Sequence, residues 1–188
     1  MRLFLRLFAA LLIAVTFGAG CTPYTVLKQS APSALLGQTS YHVEPSYDNL
    51  KVGGKSEDAY LAEKDADTRE SFQGDKEGMH QAFVEGFASA GVKDGYSVGH
   101  TGAKDGDVEV TVSWEFVEPG VFTAFVNIPT RVAARVAFSV NGELTDEIMV
   151  EAMVEADVYH PSSGQRMRDA ARICGGYTAR YIRDQTSE

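Results

Sequence analysis

Two segments of the chain place their apolar residues at the spacing of a helix with one buried face. In residues 68–90 the large apolar side chains recur at intervals of seven, four and four positions, which follows a 3.6-residue period: Phe72, Met79, Phe83 and Phe87. Gly91 is expected to end this helix. A second helix is predicted over residues 165–184, with an inner stripe of Met167, Ala170, Ala171, Cys174, Tyr177 and Tyr181. Within it, Gly175 and Gly176 either kink the helix or let it lie close to a sheet.

Three further segments alternate apolar and polar residues, which is typical of strands with one buried face. Their apolar positions are Val108, Val110, Val112, Trp114 and Phe116 in the first, Val132, Ala134, Val136, Phe138 and Val140 in the second, and Ile148, Val150, Ala152, Val154, Ala156 and Val158 in the third. Asn141 and Gly142 join the second and third segments and predict a two-residue hairpin, because both turn positions need a positive φ. Arg131 and Arg135 would then face the acidic side chains of the return strand: Glu151, Glu155 and Asp157.

These patterns predict a single α+β domain over residues 38–188, built as an antiparallel β-meander with two helices packed on one face. A first strand is expected within residues 39–52, where Pro45 favours an edge position or a break. Residues 21–37 contain prolines and serines and show little periodicity. They are therefore predicted to form a flexible tether in front of the domain.

The start of the chain has the features of a bacterial export signal. Arg2 and Arg6 give a positive start, and residues 7–17 form an apolar run shorter than the ~20 residues that cross a bilayer. Residues 1–20 are therefore predicted to be a signal peptide. The small residues before Cys21 (Gly18-Ala19-Gly20) resemble the lipobox of bacterial lipoproteins, in which the cysteine is acylated and becomes the mature N-terminus. Ordinary secretory cleavage and an uncleaved anchor are the alternatives.

Residues 24–27, 63–66, 116–120 and 146–148 resemble segments of small uncharacterised outer-membrane lipoproteins of soil proteobacteria. Those families carry no assigned activity, so the resemblance implies a fold and a location. In Gram-negative lipoproteins an Asp after the acylated cysteine tends to retain the protein in the inner membrane. Thr22 stands at that position here. The resemblance therefore implies a lipid-anchored protein of the outer membrane that faces the periplasm.

The net charge of the chain limits the classes of partner that it is expected to bind. The formal charge of −9 becomes −11 when the signal segment and its two arginines are removed. This excess of acid argues against nucleic acid as a partner and disfavours docking on anionic lipid, so membrane attachment would depend on the lipid at Cys21.

Acylation of Cys21 would leave Cys174 without a partner in the chain, whereas an unmodified Cys21 permits a Cys21–Cys174 disulfide. Cys174 itself is expected to be a small buried apolar residue.

Two motifs associated with chemistry lack their required context. Ser97 lies in a G-x-S-x-G pattern, and Asp157 and His160 follow in the order of a serine hydrolase, but the motif requires a strand-to-helix turn and here runs into a glycine-rich turn and another strand. Glu77 and His80 share one helical face at a metal-site spacing, yet the chain offers no second pair of this kind. We therefore expect a solvent-exposed His80, no metal site and no cofactor.

The apolar segment between the first two alternating strands is the remaining candidate site. Five of its nine residues are large and apolar: Val121, Phe122, Phe125, Val126 and Ile128. Loops usually lie on the surface. Either this one folds back under a helix end and completes the core, or it is an exposed tip that contacts a membrane or a protein.

The leading hypothesis is a non-enzymatic, membrane-tethered accessory domain that binds another envelope component, such as a protein, through this loop or a sheet edge. An envelope hydrolase that uses Ser97 and a binder of small ligands between helices and sheet are the alternatives.

Overall fold

The computed structural model describes residues 22–186 apart from Ala103, Asp105 and Ala124. Its strands are β1 Tyr24–Lys28, β2 Ser40–Ser46, β3 Lys51–Val52, β4 Lys55–Ser56, β5 Ser97–Gly99, β6 Val108–Glu118, β7 Val121–Phe122, β8 Asn127–Ile128, β9 Thr130–Val140 and β10 Glu143–Val154. Its helices are α1 Glu57–Ala62, α2 Ala66–Asp94 and α3 Ser163–Thr186. No helix among the described residues is long and apolar enough to cross a membrane. The α+β class predicted from the sequence is confirmed.

The main sheet is mixed rather than a purely antiparallel meander. Its strand order is β1-β10-β9-β6-β2-β5, and the β6-β9-β10 part is the predicted antiparallel meander. However, β2 pairs in parallel with both β5 and β6, and β3 also pairs in parallel with β6. The physical reason is the long connection that contains α2 between β2 and β5, because a crossover of this length lets two strands run in the same direction.

The segment predicted as a flexible tether is largely part of the domain. Strand β1 pairs antiparallel with β10, from Tyr24 opposite Val150 onwards. The Tyr24 ring packs edge-on against Tyr181 of α3 at 5.3 Å, and its hydroxyl donates to Asp184 at 2.6 Å. Further along, Leu35 is completely buried. Alternation is weak in β1 because it is a short edge strand with few inward side chains, so its sequence resembles a linker.

Helices α2 and α3 cover one face of the sheet, as the apolar stripes predict. All four residues of the first stripe are buried in α2, which begins after the capping residue Asp65 and continues past Gly91 to a left-handed Gly95. The helices touch where Gly175 faces Phe83: an added Cβ on Gly175 would lie 2.1 Å from the carbonyl oxygen of Phe83. Gly175 thus serves close packing against α2, where the sequence favoured a kink or contact with the sheet.

A β-bulge changes the face on which one predicted core residue lies. Pairing between β6 and β9 shifts between Trp114 and Phe116, so Glu115 is the extra residue. Val117 takes the buried position and Phe116 moves to the open face, where the Arg131 guanidinium lies 5.6 Å from its ring centroid. The open face carries the charge pairs expected across the hairpin only in part. Arg131 pairs with Glu151 of β10 at 2.6 Å, whereas Arg135 pairs with Glu115 of β6 at 2.7 Å and with Glu147 of β10 at 3.6 Å.

Candidate binding surface

The apolar segment between β6 and β9 forms a small hairpin that projects from the main sheet. Its strands β7 and β8 pair Val121 with Ile128 and Phe122 with Asn127, apart from the main sheet. All five predicted binding residues are exposed, and the Phe125 side chain is 98% exposed: Val121, Phe122, Phe125, Val126 and Ile128. The alternative in which this loop completes the core is therefore wrong.

The tip of the hairpin is held by one side chain, Thr123. Its hydroxyl oxygen accepts from the amides of Val126 at 2.9 Å and Phe125 at 3.3 Å. The Thr123 amide donates to the Val126 carbonyl at 2.9 Å. These bonds join the backbone of Thr123, Phe125 and Val126 in one turn. The exposed apolar side chains are therefore carried by a defined turn.

The root of the hairpin is also built by specific contacts. Gly120 has φ +71°, and a Cβ there would lie 2.5 Å from the carbonyl oxygen of Ile128, so glycine alone fits the turn without strain. The buried Thr130 hydroxyl donates to the Pro119 carbonyl at 2.7 Å across the two ends of the hairpin. The chain from Pro119 to Pro129 contains no charged residue.

A buried arginine of α3 connects the hairpin root to a second loop. Arg166 is only 1% exposed. Its Nε donates to the Thr130 hydroxyl at 2.8 Å, and its Nη2 donates to the Pro119 carbonyl at 3.2 Å. Its Nη1 donates to the carbonyls of His160 at 2.7 Å and Pro161 at 2.9 Å. Burial lowers the pKa of Arg166, while Asp157 acts in the opposite direction. One guanidinium thus ties together β9, the hairpin and the loop that precedes α3.

That second loop, residues 155–162, also presents apolar side chains to solvent. Val158 is 72% exposed and Tyr159 is 82% exposed. The Asp157 carboxylate accepts from the amides of Tyr159 and His160, both at 2.8 Å, and fixes the turn. Desolvation acts to raise the pKa of Asp157, but these hydrogen bonds and the His160 side chain keep it below its usual value. Sequence periodicity had assigned these residues to the return strand, which ends at Val154.

Strand register places the hairpin, this loop and the start of β1 at the same end of the main sheet, which we call the hairpin end. Thr130, the first residue of β9, lies opposite Val154, the last residue of β10. Because β1 is antiparallel to β10 and Tyr24 lies opposite Val150, the chain before Tyr24 leads towards that same end. Cys21 itself lies outside the described residues.

Of the residues in the serine-hydrolase pattern, Asp157 and His160 contact each other at 3.1 Å, whereas Ser97 lies far from both. Ser97 lies in β5, and its hydroxyl contacts the Thr39 carbonyl and the Ser40 hydroxyl, both at 3.3 Å. Ser40 is level with the start of β6, whereas His160 is bound to Arg166 at the hairpin end, where β6 finishes. The 11 residues of β6 separate the two sites by roughly 30 Å. The predicted order Ser97, Asp157, His160 is therefore not assembled into a triad.

The Glu77–His80 pair, the second motif associated with chemistry, lies on α2. No group of three or more potential ligands is close enough to hold a metal ion in the part of the chain that the structure describes. His80 is half-buried rather than solvent-exposed, with its ring 5.8 Å from that of His100. Burial, followed by the neighbouring His100, lowers the pKa of His80 to about 4.

Cys174 is fully buried on α3, as expected for a small apolar residue. Burial raises the pKa of its thiol, which makes the thiolate scarce. The disulfide that the sequence left open would involve Cys21, outside the described residues.

Sequence reasoning found the hairpin but missed Arg166 and the second loop. Arg166 lies among four other arginines of α3 and carries no local signal of burial. A sign of the second loop was available in the composition, because Tyr, His and Pro follow in residues 159–161 directly after Val158, the last alternating position.

No protein-family model matches the chain, and no curated protein matches it. Among solved structures, the PelC dodecamer from Paraburkholderia phytofirmans is similar at 10% identity and a TM-score of 0.44, over 82% of this chain and 96% of the PelC chain. A second structure of that dodecamer, with a leucine replaced by methionine, is similar at 9% identity and a TM-score of 0.39, over 88% of this chain and 99% of the other.

Proposed function

We propose that this chain is a membrane-tethered, non-enzymatic lipoprotein of the bacterial outer membrane that acts as a binding or accessory domain. The exposed hairpin of residues 121–128 is its contact surface for another envelope component. Cys21 carries the lipid anchor, and the domain faces the periplasm.

The observation that supports this proposal most strongly is the display of apolar side chains on a defined hairpin. Exposing a large apolar side chain to water is unfavourable, because its burial would stabilise the protein by about 1.5–3 kcal/mol. Here hydrogen bonds of Thr130 and Arg166 hold the root of the hairpin and those of Thr123 hold its tip, so the exposed side chains have a defined position. Contiguous exposed apolar surface of this kind marks interaction sites on soluble proteins.

Lipidation of Cys21 has its own test. The mature protein extracted from membranes should have the intact mass of a chain that begins at Cys21 and carries three acyl groups. A mass without acyl groups, together with the loss of two hydrogen atoms that a Cys21–Cys174 disulfide entails, would reject the anchor.

Contact through the hairpin is tested by thiol labelling in washed, opened envelopes. Phe125→Cys places a thiol at the most exposed position of the hairpin, and Val92→Cys is the matched control, because Val92 is 76% exposed on α2. An impermeant maleimide should label the control thiol fully and the thiol at position 125 only weakly, with labelling after unfolding in urea as the reference. Buried Cys174 adds little background in the folded protein.

Equal and complete labelling at positions 92 and 125 in envelopes would contradict the proposal, since nothing would then cover the hairpin. Weak labelling at both positions would show general shielding of the domain and would also count against a contact specific to the hairpin.

A further inference from the structure

We propose that the envelope component covering the hairpin is the lipid surface of the membrane, into whose interfacial region the hairpin end of the sheet inserts. This inference rests on the proposed function and names the partner of the same surface.

The first support is the direction in which the chain leaves the structure. Only Thr22 and Pro23 separate Cys21 from β1, and three residue steps span at most about 11 Å. A lipid on Cys21 would therefore hold the start of β1 next to the bilayer. Because the hairpin lies at this same end of the sheet, it would face the membrane to which the chain is attached.

The second support is that two separate loops present apolar groups at this end. The hairpin offers Phe122 and Phe125, and the loop before α3 offers Val158 and Tyr159. The guanidinium of Arg166 donates to a carbonyl at the base of each loop, which keeps the two loops close together. Tyrosine suits a membrane boundary particularly well, because its ring can enter the apolar layer while its hydroxyl stays hydrated.

The third support is charge. The protein carries a net charge of −9, yet residues 119–129 have no charged side chain. An acidic domain is repelled by anionic lipid, so insertion has to be driven by apolar burial into a neutral or zwitterionic surface. The lipid anchor would supply the local concentration that makes a small apolar contact effective. The inserted contact should therefore be insensitive to salt.

Depth-dependent fluorescence quenching tests the inference. The acylated, full mature protein is reconstituted into phosphatidylcholine vesicles, and lipids brominated on their acyl chains serve as quenchers. Phe125→Trp reports on the hairpin and Val92→Trp is the control, since Val92 lies five positions before Ser97 at the opposite end of the sheet. The native Trp114 is only 1% exposed and contributes the same background to both variants.

The brominated lipid is expected to lower the emission of the added tryptophan at position 125 about twofold or more, as for a side chain in the interfacial layer. The tryptophan at position 92 should lose less than about a tenth of its emission, because its helix end stays in water. The same quenching should persist at high salt.

An unquenched tryptophan at position 125, in protein that still sediments with the vesicles, would overturn the lipid inference. If thiol labelling at position 125 were nevertheless blocked in envelopes, the proposed function would stand and the hairpin would bind a protein. Quenching that disappears at high salt would also overturn the inference, because it would indicate an electrostatic contact.

Discussion

Replacing Arg166 by methionine would remove a side chain that joins the hairpin root to the loop before α3. Methionine has a similar length and fills most of the buried volume, so the change mainly deletes the guanidinium. The carbonyls of His160 and Pro161 each lose their donor, whereas Pro119 keeps the bond from the Thr130 hydroxyl. The effect should therefore be concentrated in the loop of residues 155–162.

The magnitude follows from the groups left without partners. A buried acceptor that loses its hydrogen bond costs about 1–3 kcal/mol, so two carbonyls would give about 2–6 kcal/mol if fully buried, and less here because both are only partly buried. Removing the guanidinium also removes the penalty for keeping a charge buried, which offsets part of this loss. We expect the free energy of unfolding to fall by about 2–4 kcal/mol.

Urea denaturation followed by the fluorescence of Trp114 measures this quantity, because that ring is buried against Phe83 of α2 at a centroid distance of 6.0 Å. Hydrogen exchange adds the location: protection should decrease in residues 155–162 and near Thr130 before it decreases in the rest of the sheet. A matched Arg180→Met variant should change stability by less than about 1 kcal/mol, because Arg180 makes an exposed ion pair with Asp184. Equal stability of the Arg166 variant and the native chain, with unchanged exchange in both loops, would refute the argument.

The remaining predictions concern the hairpin, the helix contact and one histidine. Phe125→Asp should change the free energy of unfolding by no more than about 0.5 kcal/mol, since its ring is 98% exposed; a loss of several kcal/mol in urea titrations would mean that the hairpin tip is packed. Gly175→Ala should destabilise the fold by about 2 kcal/mol or more, because the added Cβ meets the Phe83 carbonyl; a wild-type melting temperature would contradict this contact. The pKa of His80 is lowered to about 4, so the unfolded chain binds the proton more tightly: stability should be full above about pH 6.5 and fall as the pH drops towards 4. His80→Gln should flatten that slope, and an unchanged slope would exclude His80 as its source.

The parts of the fold that sequence could predict depend on neighbours close in the chain. The stripe from Phe72 to Phe87 is a property of one helix, and the turn at Asn141 requires only that two adjacent residues accept positive φ, with 53° observed at Asn141 and 78° at Gly142. The hairpin could be singled out from the sequence because it contains more large apolar residues than a connecting loop usually does. Each of these features is determined by residues that are close to one another in the sequence.

The parts that could not be predicted depend on contacts between distant segments. The alternation in β6 continues through Phe116, but the extra residue at Glu115 depends on pairing with β9 and reverses the face of everything after it. Arg166 has the sequence signature of a surface arginine, and only the meeting of two loops supplies its acceptors. Similarly, the parallel pairing of β2 follows from how α2 returns the chain, which periodicity does not encode.

The place of β1 in the sheet has a consequence for the order in which the protein can fold. Tyr24 and its partner Val150 are 126 positions apart. Strand β1 is therefore synthesised first but is one of the last strands that can pair. Until β10 emerges, Val26 and Leu27 have no strand to pair with, and the anchoring contact of Tyr24 with Tyr181 must wait for the final helix. Non-local pairing of this kind slows folding. Closure of the sheet is therefore coupled to completion of the chain, and a polypeptide that is still emerging keeps its N-terminal strand open.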